Sequence, residues 1–146
     1  RPPRSTLFPY TTLFRSMLYL YGIEEAIVLN TEEIQSQTDI ICDYKIGTER
    51  LDLERKQSFK LFSLYEDVVV LLVNNGKTEK IEIELEKESE IVRLKITATG
   101  NNADLNTEVS DENSQIAILK EKVQLANGTL SVKSLSDRES IITIEL

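Results

Sequence analysis

The chain has 146 residues, of which 40% are hydrophobic, with 17 Lys and Arg against 25 Asp and Glu, one Cys, three Pro and no His. The absence of His excludes a Ser-His-Asp or Cys-His nucleophile system, a His-ligated metal site and a phosphohistidine on this chain. The single Cys excludes an internal disulfide, and the net charge of −8 argues against nucleic acid or an anionic membrane as the main partner.

The first 16 residues differ in composition from the rest. This stretch, RPPRSTLFPYTTLFRS, holds all three prolines, three arginines and no acid, and it resembles the translation of a sequencing adapter. We predict a non-native, disordered leader over 1–16 and a domain over 17–146, and we expect the native protein to extend further upstream. A disordered basic leader of native origin is the alternative. Removing the three arginines changes the net charge from −8 to −11.

The first half of the domain alternates helix and strand. Apolar residues at helical spacing predict an amphipathic helix over 22–36. A short alternating strand follows over 39–46. A long second helix is predicted over 53–73, with Asp52 as its N-cap and Asn74-Asn75-Gly76 as its end.

The second half is predicted to be richer in strands. Strict alternation over 80–86 and again over 92–98 predicts a hairpin with one solvent-exposed face. The polar, aperiodic segment 101–113 is predicted to be a mobile loop. Two closing strands are predicted around 130–132 and 142–144. Between the loop and these strands lies a third helix that ends at Asn127-Gly128, with one apolar face formed by Ile116, Leu119, Val123 and Ala126.

This order of elements predicts an α+β two-layer sandwich, in which about three helices cover one face of a mixed β-sheet. Cys42 is predicted to be a small buried residue rather than a reactive thiol. An acidic stripe is predicted on the exposed face of the hairpin, with contact to a basic partner as the alternative. Three lysines, Lys77, Lys80 and Lys87, are interspersed in this stripe, which consists of Glu79, Glu82, Glu84, Glu86, Glu88 and Glu90.

Several short stretches carry a family resemblance. They are GIEEA at 22–26, TDIIC at 38–42, LDL at 51–53, LFSLYED at 61–67, LKEKV at 119–123 and NGTL at 127–130. In this order they resemble the ATP-binding domain of bacterial sensor histidine kinases with a NarX-like or DesK-like transmitter, and the similarity covers 18–146. The resemblance implies the histidine-kinase/gyrase-type ATPase fold, which several kinds of ATPase share, so the fold alone does not settle the activity.

The family's first nucleotide motif lies on the long helix. A carboxylate there acts near the γ-phosphate of ATP, and an Asn one helical turn later holds Mg²⁺. The resemblance places these two roles at Asp67, the catalytic candidate, and at Leu71, with the next two motif positions at Asn74 and Asn75. Leucine has no oxygen to offer Mg²⁺, which requires near-octahedral oxygen coordination.

The other two motifs are also degraded. The adenine-binding motif Asp-x-Gly-x-Gly falls on Ala98, Gly100 and Asn102, of which only Gly100 matches. The glycine-rich phosphate turn at the start of the last helix falls on Gln115 and Ala117, and neither residue is glycine. The nucleotide-binding positions are therefore interpreted as vestigial, and no metal site is predicted.

Two functions follow from the resemblance. In the first, the chain is a C-terminal ATP-binding fragment of a sensor histidine kinase in two-component signal transduction, with degraded nucleotide motifs. Its cofactors are ATP and Mg²⁺ if the site is active, and its partners are the dimerisation and phosphoacceptor helices of the parent kinase and a response-regulator receiver domain. In the alternative, a pseudokinase interaction module binds those helices or a receiver domain without ATP. An unrelated α+β domain with a similar pattern is a third interpretation.

Phosphoryl transfer by this chain alone is not expected under either interpretation. A cytoplasmic location is expected, which includes the cytoplasmic end of a membrane-bound sensor. We expect this fragment to contact neither nucleic acid nor the membrane.

Overall fold

A computed structural model describes residues 11–47, 51–100 and 114–146. These ranges contain four helices and five strands. In chain order they are α1 (Thr11–Tyr21), α2 (Ile23–Gln37), β1 (Ile41–Ile46), α3 (Arg55–Asn74), β2 (Thr78–Glu88), β3 (Ile91–Gly100), α4 (Gln115–Leu125), β4 (Thr129–Ser136) and β5 (Glu139–Glu145).

The five strands form one mixed sheet in the order β1-β2-β3-β5-β4. The strands β1 and β2 are parallel because the long helix α3 carries the chain back between them, whereas the other pairs are antiparallel. Tight turns connect β2 to β3 and β4 to β5. The predicted α+β sandwich is confirmed.

The core lies between the helices and the inner face of the sheet. Along β3 and β5, and over 81–85 of β2, every second residue is buried, as the alternating sequence predicts. The apolar inner-face residues that are at most 1% exposed are Ile81, Ile83, Leu85, Val92, Leu94, Ile96, Ala98, Ile142 and Ile144. Helix α2 contributes Ile23, Ala26, Ile27 and Ile34 to the same core.

The outer face of the sheet is charged. The predicted acidic stripe is solvent-exposed or half-buried along β2, and basic side chains of neighbouring strands pair with much of it. The ion pairs join Lys80 to Asp43 and Glu82, Arg93 to Glu86, Glu88 and Glu145, Lys95 to Glu84, and Arg138 to Glu79. Seven carboxylates on this face are therefore paired with four basic side chains, so the face keeps an excess of negative charge.

The predicted N-cap of the long helix is wrong. Helix α3 begins at Arg55 with Glu54 in the cap position, and Asp52 lies before it in a left-handed conformation with φ of 49°. The cause is a contact from another part of the chain. Leu51 is buried, and its N–H donates a hydrogen bond of 3.0 Å to Glu24 Oε1 on α2, which holds the segment before α3 outside the helix.

The last helix ends one residue earlier than its apolar pattern predicts. Ala126, predicted on the buried face, is the half-buried C-cap residue of α4. Asn127 follows with φ of 62°, and the N–H of Gly128 donates to Val123 O at 2.9 Å. This left-handed residue is the predicted helix stop.

The N-terminal boundary predicted after residue 16 lies within α1, so residues 11–16, expected to be disordered, are helical. Leu18 of this helix is buried, and the Arg55 guanidinium lies 3.8 Å from the centre of the Tyr19 ring. Gly22, with φ of 97°, separates α1 from α2. Residues 1–10 and the predicted loop 101–113 lie outside the described residues. None of the helices in the described ranges is long and apolar enough to span a bilayer.

Candidate functional site

A cavity of about 200 Å³ lies between α3 and α4. Residues three or four apart on each helix line it, because this spacing places side chains on one helix face. Three positions that the sequence analysis assigns to nucleotide motifs, Asp67, Leu71 and Gln115, meet here. The full lining is Asp67, Val70 and Leu71 from α3 and Gln115, Ile118, Leu119 and Lys122 from α4.

Asp67 is ion-paired across this cavity. Its Oδ2 accepts a hydrogen bond of 3.1 Å from Lys122 Nζ, and the two side chains are 39% and 56% exposed. A pair this exposed contributes at most about 1 kcal/mol to stability. Its effect on the site is chemical, because it places a cation against the carboxylate that the family resemblance assigns to catalysis.

Sequence reasoning did not select Lys122 as a site residue. Its spacing of three residues from Leu119 and seven from Gln115 places all three on one face of α4, and this was the available signal. That this face meets Asp67, 55 residues earlier in the chain, follows only from the packing of α4 against α3.

Leu71 is the residue to which the family resemblance assigns the position of the Mg²⁺-binding Asn. It is 9% exposed and lines the cavity one helical turn beyond Asp67. Its side chain is hydrocarbon, and among the described residues of the lining Asp67 is the only carboxylate. In the part of the chain that the structure describes, no three His, Cys, Asp or Glu side chains are grouped as a metal site would require. These residues do not fit Mg²⁺.

Asn74 and Asn75 lie at the end of α3, and neither lines the cavity. Asn75 Oδ1 accepts hydrogen bonds from the N–H of Lys77 at 2.8 Å and from the N–H and Oγ1 of Thr78, both at 3.2 Å. The next residue, Gly76, has φ of 72°. Asn75 therefore stabilises the turn from α3 into β2, which is a structural role.

Ala98 and Gly100 lie at the end of β3. Ala98 is 1% exposed and is paired in register with Ile81 and Ser140, and its methyl group offers no hydrogen bond to an adenine. Gly100 is required by close packing, because a Cβ there would lie 2.0 Å from the carbonyl oxygen of Lys77. The third position of this motif, Asn102, lies outside the described residues.

The first turn of α4 is capped by the chain itself. Ser114 Oγ accepts a hydrogen bond of 3.1 Å from the N–H of Ala117, which satisfies one of the amide groups that a phosphate would need. Gln115 is exposed and lines the cavity, whereas Ala117 is half-buried and does not. Sequence reasoning missed the N-cap role of Ser114, although a serine directly before an apolar helical pattern is its usual signal.

Solved structures with the same architecture decide the fold. The chain superposes on the blue-light activated histidine kinase EL346 of Erythrobacter litoralis with a TM-score of 0.67 at 13% identity, covering 84% of this chain. The fold is that of a histidine kinase catalytic domain.

Two further histidine kinases support this kinase fold. AdeS of Acinetobacter baumannii matches with a TM-score of 0.57 at 16% identity, over 97% of this chain and 77% of that one. The catalytic domain of ThkA, in a nucleotide-free form, matches with a TM-score of 0.57 at 19% identity, over 85% of this chain and 89% of that one. The chain spans 40% of the length of EL346. No protein-family model and no curated protein matches the sequence.

A second, more open groove of about 480 Å³ continues from the cavity along the outside of the same two helices of the kinase fold. Asp67 and Lys122 line both. The side chain of Leu125 lies in this groove and is 79% exposed. Ile118, in the lining of the cavity, is 50% exposed. The site therefore combines one ion pair with exposed hydrocarbon, which suits protein contact better than phosphate binding.

Proposed function

We propose that this chain is the catalytic-domain part of a two-component sensor histidine kinase whose nucleotide site no longer takes Mg-ATP, so that it acts as a pseudokinase interaction module. The observation that carries the proposal is the pairing of Asp67 with Lys122 beside the buried Leu71. At the place where the family needs a carboxylate and a metal-binding amide, this chain has a neutralised carboxylate and a hydrocarbon.

The rest of the site supports the same conclusion. The cavity volume of about 200 Å³ is below the range of roughly 300–1,000 Å³ that is usual for small-molecule sites. Ala98 lacks the carboxylate that would accept a hydrogen bond from the adenine amino group. Ser114 already satisfies the amide of Ala117 in the first turn of α4.

The proposed partners are the dimerisation and phosphoacceptor helices of the parent kinase, with a receiver domain as the alternative. The groove between α3 and α4 supports a helical partner, because an amphipathic helix binds by placing apolar side chains into such a groove. Leu125 and Phe59 provide apolar surface there, and Lys60 and Lys122 provide positive charge at its margin.

The nucleotide part of the proposal is tested by thermal unfolding in Mg-ATP and in Mg-ADP. A live site with a Kd of about 0.1 mM would stabilise the fold by about 2 kcal/mol at about 5 mM nucleotide. We expect no change of Tm. A rise of Tm that grows with nucleotide concentration would overturn the proposal and restore the ATP-binding interpretation.

A repair variant provides the matched control. Leu71→Asn with Ala98→Asp returns the metal-binding amide and the adenine-binding carboxylate to their family positions. Leu71→Asn alone is expected to cost about 2 to 4 kcal/mol of stability, because packing is lost and an amide is partly buried. If the double variant gains a Mg²⁺-dependent shift that the unmodified chain lacks, these two substitutions account for the loss of nucleotide binding.

The partner part is tested by titrating the separately produced dimerisation helices of the parent kinase into the chain. Leu125→Glu should weaken binding without lowering Tm, since the side chain is 79% exposed in the free chain. Equal binding by the variant and the unmodified chain would contradict the assignment of this groove.

A further inference from the structure

Among the described strands, β1 lies at the edge of the sheet and pairs with β2 alone. The N–H of Cys42 donates a hydrogen bond of 3.0 Å to Gln35 Oε1 of α2, so this N–H points away from β2. Alternate residues of a strand direct their peptide groups to the same side, and Tyr44 and Ile46 therefore also present theirs at the open edge. Such an edge is a template for another strand.

The charges on this edge are complementary to themselves. Asp43 and Lys45 precede and follow Tyr44 in β1. Both lie on the outer face of the sheet, and both are exposed. If a second β1 lies antiparallel with the two Tyr44 residues opposite each other, each Asp43 faces the Lys45 of the other copy. These are non-hydrogen-bonded positions, where opposing side chains are closest, with Cα atoms about 4.5 Å apart.

Other antiparallel registers lose this match. A shift of two residues places Asp43 opposite Asp43 and Lys45 opposite Ile41 in one direction, and Lys45 opposite Lys45 and Asp43 opposite Gly47 in the other. Like charges then face each other, and no ion pair forms across the edge. An edge lysine usually discourages strand pairing, but here the Asp two residues earlier supplies the opposite charge. Within the chain Asp43 also lies 3.3 Å from Lys80.

The surface along β1 is open. A groove of about 580 Å³ is lined by Cys42, Asp43, Tyr44 and Lys45 of β1 and by Glu82, Ile83 and Glu84 of β2. Ile41 is 57% exposed and Tyr44 is 47% exposed, which leaves two large apolar side chains without cover on a six-residue strand.

We propose that two copies of this chain associate through β1, antiparallel and centred on Tyr44, to form one continuous ten-stranded sheet. The two Tyr44 residues exchange two backbone hydrogen bonds, and Cys42 of each copy pairs with Ile46 of the other once Gln35 releases the Cys42 N–H. The contact is small, so we expect weak, concentration-dependent association. This inference is independent of the proposed function.

The test is sedimentation equilibrium of the full chain from about 10 µM to about 1 mM. We expect a monomer–dimer equilibrium. Asp43→Lys and Lys45→Asp should each weaken it by about tenfold or more, because each places like charges opposite each other twice. An equimolar mixture of the two variants should regain dimers, since every pair across the interface is then of opposite charge.

Tyr44→Pro is the backbone control. It removes an N–H that faces the open edge, where proline is tolerated, and should abolish association while the chain remains folded. The proposal fails if the unmodified chain stays monomeric at about 1 mM. It also fails if the single variants associate as well as the unmodified chain, or if their mixture associates no better than either alone. The comparison remains valid even if one substitution lowers stability, because each single variant is also measured alone.

Discussion

The hydrogen bond between Tyr65 and Asn30 joins α3 to α2 in the centre of the core. The Tyr65 hydroxyl donates to Asn30 Oδ1 at 2.6 Å, and both side chains are fully buried. Asn30 Nδ2 has no hydrogen-bond partner among the described residues. The substitution Tyr65→Phe removes only the hydroxyl and keeps the ring that packs 5.4 Å from Phe62. It therefore isolates the contribution of this hydrogen bond.

The expected cost of Tyr65→Phe is about 2 kcal/mol. The side-chain oxygen Oδ1 of Asn30 would lose its hydrogen-bond donor, and an unsatisfied buried polar group costs about 1–3 kcal/mol. For a chain of this size the loss corresponds to a decrease in Tm of about 4–8 °C. Urea unfolding should show a lower midpoint with an unchanged slope, because the surface exposed on unfolding stays the same.

The double variant Asn30→Leu with Tyr65→Phe is the control. It replaces both polar partners with apolar groups, so it should be more stable than Tyr65→Phe alone. If the Tyr65→Phe chain is within about 0.5 kcal/mol of the stability of the unmodified chain, the reasoning is refuted.

Alkaline pH provides a second readout. Burial raises the pKa of Tyr65 well above its usual 10, so the folded state keeps this proton and loses stability above about pH 10, a contribution that the Phe variant lacks.

Three further predictions concern single positions. Gly100→Ala should cost at least about 2 kcal/mol, because its Cβ would overlap the Lys77 carbonyl, whereas Gly47→Ala, with open space around it, should be neutral in the same melt. Burial raises the pKa of Glu66 above its usual 4.5, so the stability of the fold decreases as the pH rises above about 4.5. Glu66→Gln should therefore raise Tm at about pH 7 but not below about pH 4. Burial raises the pKa of Cys42 to about 11, so a thiol reagent at neutral pH should label the folded chain more than tenfold more slowly than the urea-unfolded chain.

Most of the secondary structure could be predicted from the sequence, because it depends on periodicities between near neighbours. The alternation over 80–86 and 92–98 determined both strands of the hairpin and which face of each is buried. The helical spacing over 22–36 located α2 to within a residue at each end. The family resemblance added the histidine-kinase/gyrase-type fold and the prediction of candidate site residues on the long helix.

Much of the candidate site could also be placed, but only as separate motifs. Asp67 and Leu71 were predicted to share a helix face, and they do. Helical spacing could not show that Gln115 and Lys122 meet them, because these residues lie some 50 positions away and nothing local encodes how two helices pack. Likewise, Gly100 was predicted as the one matching residue of the adenine motif, whereas its observed role is to let β3 approach the turn after α3.

The sequence by itself determined most of the elements and their buried faces, since both depend on residue type and spacing of at most a few positions. The tertiary structure decided which residues share a site. It also decided where the helices begin and end. A hydrogen bond to Glu24, 27 residues earlier, keeps Asp52 from capping α3. Asp67 forms an ion pair with Lys122, which lies 55 residues later in the sequence. Such contacts form only when the helices pack on the sheet, and the packing is set by the whole core rather than by any one segment.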